Sequence, residues 1–113
     1  MNQIRHEPID GWSVVADTSK DYLEIRLEQK TMVYGVLLKA QTEDDAAHAF
    51  RLQRSADMNM WYTIGSYEPR IDDVMTMMIV KRFAMGFRVS VKGSSSSSSI
   101  LLPSHDLVVN LYK

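Results

Sequence analysis

The chain has 113 residues, of which 13 are Lys or Arg and 14 Asp or Glu, for a net charge of −1. That length supports one domain with its own core, and a hydrophobic share of 45% is that of an ordinary folded domain. A dedicated duplex-DNA binder carries a basic excess that is missing here, and the absence of cysteine excludes disulfides and thiolate metal sites while setting no compartment.

No apolar run approaches the roughly 20 residues that span a bilayer, and the opening "MNQIRHEPIDGW" has no apolar core of a signal peptide. Residues 1–21, polar and interrupted by Pro8 and Gly11, read as a loop-like entry. In "YLEIRLE" (22–28), Leu23, Ile25 and Leu27 alternate with Glu24, Arg26 and Glu28, the pattern of a strand with one wet face. A separate buried strand, "MVYGVLL" (32–38), is expected after Gln29 and Lys30. Further β-prone runs follow at "FRLQR" (50–54), "WYTI" (61–64), "VMTMMIV" (74–80), "FRVSV" (87–91) and "LVVNLY" (107–112). About seven short strands with turn signals between them predict an all-β sandwich or barrel.

One stretch reads two ways. "TEDDAAHAFRLQRS" (42–55) offers Thr42 as an N-cap, acids in the first turn, and Ala46, Ala47, Phe50 and Arg54 at helical spacing. Local chemistry balances helix against loop plus strand. "GSSSSSS" (93–99) has no side chain able to fill a core and reads as a flexible loop between two strands.

The ordered pieces resemble the discoidin domain, the C-type domain of blood-coagulation cofactors. The carrying residues are Gly11-Trp12, "YLEIRL" (22–27), "VYGVLLKAQ" (33–41), "FRLQRSADMNMW" (50–61), "GFRVSVKG" (86–93) and "LVVNLYK" (107–113). The resemblance implies a single jelly-roll-like antiparallel β-sandwich of the galactose-binding type over residues 1–113, and it places 42–47 in a loop. The chain departs from the family in its N-terminal part, where only eleven residues precede Trp12, and in lacking the terminal cysteine pair. A sheet edge left open by that shortening is a pairing surface, so a homodimer is an expectation.

Nothing in the chain spells out a catalytic constellation: His6, His48 and His105 are scattered, no Gly-x-Ser-x-Gly elbow occurs, and the five glycines form no phosphate loop. The adjacent acids Asp44-Asp45 and Asp72-Asp73 point apart and read as solvated loop residues. The expected function is therefore non-catalytic recognition. The resemblance implies binding by loops at one end of the sandwich, here 4–10 and 41–48, which carry Arg5, His6, Glu7, Asp44, Asp45 and His48 as candidate ligand-binding residues. Their mixture of donors and acceptors suits a carbohydrate, although neither loop offers an aromatic ring for a sugar to stack on. Trp12 and Trp61 flank strands and read as core.

A protein partner is the alternative. Six of the eight Met residues fall between 58 and 85. Core filling explains most of them, while Met58 and Met60 could instead face a docking surface rimmed by Lys81, Arg82 and Arg88. Nucleic acid is not expected, because alternating charge on a wet strand face accounts for "FRLQR" and "FRVSVK". An anionic membrane is not expected either, since the matching loop is acidic. No cofactor is expected. A structural calcium, brought into consideration by the resemblance, would draw on Asp10, Asp17 and Asp21, but the family site lies partly in the shortened N-terminal region.

Overall fold

A computed structural model describes residues 9, 12–16, 22–41, 43, 49–69, 71, 77–92 and 108–113. Six strands run through them: β1 (Trp12–Ala16), β2 (Tyr22–Lys39), β3 (Phe50–Ser55), β4 (Tyr62–Tyr67), β5 (Met78–Val91) and β6 (Val108–Tyr112). All pair antiparallel in one sheet of order β1-β2-β5-β3-β4, with β6 also on β2. The all-β expectation holds; Glu43 alone among the described residues has helical backbone.

β2 and β5 form the spine. β1 lies along the first half of β2, where Trp12 pairs with Leu27 and Ala16 with Leu23. β6 lies along its last part, where Gly35 pairs with Tyr112 and Lys39 with Val108. The spine bends at two irregularities. Arg26 pairs with Gly86 and Thr31 with Ala84, so residues 27–30 face the single residue Met85. Val33 pairs with Arg82 and Gly35 with Ile79, so β5 carries one extra residue there, and Lys81 sits at φ 51°. Extra residues of this kind kink the strand pair and shift the alternation of one strand relative to its partner. The core positions of β2 accordingly pass from Ile25, Leu27 and Val33 to Val36 and Leu38, and those of β5 from Val80 and Ala84 to Phe87, Val89 and Val91. The bends let both halves of the spine close on one core, together with Phe50, Leu52, Val109 and Leu111. Ile9 joins that core and is tied to it by its N–H, which donates to the Leu111 carbonyl at 3.0 Å.

Several expectations need correction. The reading of 22–28 and 32–38 as two strands fails because Gln29-Lys30 is no turn; the chain carries on as one 18-residue strand and absorbs the surplus residues as a bulge. The runs beginning at 74 and 87 likewise merge: 78 to 91 is one strand, and residues 74–76 lie outside the described set. The loop-like entry contains β1, whose Val14 and Val15 are β-formers that a polar average over 21 residues concealed. The helical alternative for 42–55 is overturned at its C-terminal end, because Phe50–Ser55 is strand with Phe50 and Leu52 fully buried. There Phe50 and Leu52 are two apart and share a strand face, and pairing with β5 outweighs the helical spacing. Residues 93–99 lie outside the described set.

Candidate functional site

The alternation of β2 sends Leu23, Ile25 and Leu27 inward and Glu24 and Arg26 to the other face. On β5, Phe87 and Val89 go inward and Arg88 outward. Register then makes Glu24 and Arg88 direct cross-strand partners, with Gln53 of β3 opposite Arg88 on its other side. Glu24 has only 7% of its side chain exposed, yet both of its oxygens are used: Arg26 Nε donates to Oε2 at 2.7 Å, and Arg88 Nε to Oε1 at 3.2 Å. Burial pushes the Glu24 carboxyl upward. The hydrogen bonds from Arg26 and then Arg88, with their charges, outweigh it and hold the group below its ordinary value.

Arg88 is fixed from other directions as well. Its Cζ lies 3.8 Å from the centre of the Trp61 ring and 4.3 Å from that of Tyr22, within cation–π range. Trp61, expected in the core, is only half-buried and serves as a platform for this guanidinium.

Trp61 is delivered by the turn at residues 56–60, whose shape is set by two side chains. The Ser55 hydroxyl accepts from the N–H of Met58 at 2.8 Å and of Asp57 at 3.3 Å, and donates to Asp57 Oδ1 at 3.0 Å. Asp57 Oδ1 also accepts from the N–H groups of Met60 and Asn59, each at 2.9 Å. Those backbone donors lead in holding the Asp57 carboxyl below its ordinary value. Met58 takes φ 66°, a left-handed conformation uncommon outside Gly. Its side chain settles over Gly86, where an added Cβ would come 2.5 Å from Met58 Sδ and 2.9 Å from the Ile25 carbonyl. The missing side chain at position 86 thus lets the turn approach the sheet.

Between the turn and the spine lies a cleft of about 350 Å³ lined by Glu24, Arg26, Leu27, Met58, Met85 and Arg88. That is near the small end of the roughly 300–1,000 Å³ usual for small-molecule sites. Glu24, with both oxygens engaged, is poorly placed to move protons. The arrangement offers guanidinium donors and thioether walls, which suits binding.

The far half of the spine presents a different surface. Met32 and Phe83 are cross-strand partners and are 46% and 50% exposed. Two cations lie at Phe83: Lys30 Nζ is 5.9 Å from its ring centre, and Arg54 Nη1 donates to its carbonyl at 2.8 Å; Lys81 and Arg82, just before it in β5, are exposed as well. Met60, in the turn, is 58% exposed, as its docking reading expected, whereas Met78 packs on the core.

The six residues singled out from the end loops, Arg5, His6, Glu7, Asp44, Asp45 and His48, lie outside the described residues, as do Asp10, Asp17 and Asp21. Among the described residues no cluster of His, Asp and Glu could hold a metal ion. The Glu24–Arg26–Arg88 group escaped sequence reasoning because each member looked like the wet face of a strand. The available signal was opposite charge at outward positions of two alternating strands. No family model, curated protein or solved structure matches the chain.

Proposed function

We propose that the chain is a non-catalytic recognition module, a jelly-roll-like β-sandwich of the galactose-binding type, and that it binds carbohydrate. The bent antiparallel sheet closing on one core is compatible with that fold. The observation that carries the functional reading is the cleft, where a guanidinium pinned by two aromatic rings and a buried carboxylate stands beside apolar walls. Sugars are held by such a mixture of directed polar groups and apolar surface. The end loops with Arg5, His6, Glu7, Asp44, Asp45 and His48 remain part of the proposal as a second contact region. A glycan array probed with the folded protein, with and without calcium, tests it. Binding reduced by Arg88→Gln places the ligand in the cleft, and binding abolished by the double change Asp45→Ala, His48→Ala places it in the end loops. No binding to any glycan overturns the carbohydrate reading.

The Met32–Phe83 surface favours a second reading, docking to a protein. An apolar centre with Lys30 and Arg54 beside Phe83 matches a partner face with an apolar centre and acidic rim. On this reading Phe83→Ser lowers the affinity for such a partner and leaves glycan binding unchanged.

A further inference from the structure

The charged groups of the cleft point to a narrower ligand class, an inference that rests on the carbohydrate reading. Its lining carries two guanidinium charges and one carboxylate charge. The carboxylate is a poor acceptor for an incoming hydroxyl: its side chain is only 7% exposed, and each oxygen already accepts from a guanidinium, Oε2 from Arg26 and Oε1 from Arg88. A neutral polyol needs acceptors as well as donors, and a cation needs an uncompensated acid; these three side chains offer donors in excess of acceptors.

Both guanidiniums spend the same atom, Nε, on Glu24. An arginine has five donors, so the Nη groups are left over, and among the described residues no hydrogen bond engages those of Arg26 or Arg88. For Arg88 the plane is also fixed by Trp61 and Tyr22. A guanidinium held rigid through one edge, with its Nη fork remaining, matches the two oxygens of a carboxylate in one plane. Around it, Met58 and Met85 supply apolar surface for the C–H face of a pyranose.

We propose that the cleft receives the carboxylate of an acidic sugar, with Arg88 as the principal donor, Arg26 as the second, and Glu24 as the positioning residue that orients both. The side chains needed come from β2, β5 and the turn at 56–60, on the face of the sheet.

The test is calorimetric titration with oligomers of galacturonate, glucuronate-containing hyaluronan oligomers and sialyl-lactose. Each is paired with its methyl ester, which keeps the sugar and removes the charge, and a sulfated galactan oligomer is run beside them. At least one free acid is expected to bind about tenfold or more tightly than its ester, with affinity falling as salt is raised. Arg88→Gln is expected to weaken that binding about tenfold or more, and Arg26→Gln by a smaller factor. Arg26 is largely exposed, so its variant carries the test should Arg88→Gln fail to fold. Esters that bind as well as the acids, a preference for sulfate over carboxylate, or acid binding indifferent to both variants overturns this inference and leaves the carbohydrate reading standing. Silence toward every sugar, free acid and glycan array alike, from a folded sample overturns both.

Discussion

β2 and β5 run side by side through two bends, and their two halves meet their surroundings in opposite ways. In the near half the outward residues Arg26 and Arg88 are both tied to Glu24, and Trp61 and Tyr22 close over Arg88. In the far half the outward pair is Met32 and Phe83, half-exposed and bordered by cations. The core beneath is continuous. The difference shows that one pair of strands can carry two surfaces of unlike chemistry when a bulge lies between them, since the bulge resets which residues face out.

The comparison breaks most severely if the shared core is opened. Phe87→Ala removes a fully buried ring and is expected to destabilise the fold by about 3–5 kcal/mol, read by chemical denaturation, with both surfaces lost in one transition. Arg88→Ala acts on the near half alone. It leaves Glu24 with one partner and uncovers Trp61, and is expected to cost about 1–3 kcal/mol. Its counterpart in the far half, Phe83→Ser, is the smallest effect, within about 0.5 kcal/mol of the parent because that ring is already half in water. A large loss in the Phe83 variant would show that the ring is structural and remove the contrast.

Acid sharpens the same contrast between those extremes. Glu24 and Asp57 both titrate below their ordinary values of 4.5 and 3.8 in the fold. The unfolded chain therefore takes up protons first on acidification. Stability from these groups is full above the ordinary values and drains away as pH falls through the depressed ones. The thermal midpoint is expected to drop across that window, and Glu24→Gln to flatten part of the drop. Phe83 carries no titrating group, so Phe83→Ser leaves the slope unchanged.

Much of this was legible in the chain, and the failures have physical causes. The alternation in "YLEIRL" and "FRVSV" named the inward residues of both near-half strands, because a half-wet strand writes its face with period two. The bulges were not legible: whether Gln29 and Lys30 end a strand or bend one depends on what lies opposite, and Met85 is more than fifty positions away. The same distance hid the candidate site. Glu24 and Arg88 are 64 residues apart, and nothing local says that one outward charge will meet the other. Trp61 was assigned to the core as a large apolar ring beside a strand, and what holds it at the surface is that same distant arginine. The resemblance directed attention to the end loops, whose six candidate residues lie outside the described set.

The spine has a kinetic consequence. Apart from β1–β2 and β3–β4, every strand pairing joins segments distant in the chain, β2 with β5 and β2 with β6 above all. Closing such loops loses chain entropy before any contact compensates for it, and domains of this kind fold in roughly milliseconds to seconds. The hairpin of β3 and β4, with its turn held by Ser55 and Asp57, and that of β1 and β2 are the pairings with the shortest loops to close. A slip of one residue between β2 and β5 would set Glu24 against Phe87 or Val89 and separate a buried carboxylate from one of its guanidiniums, so the ion pair penalises the wrong register and favours the native one.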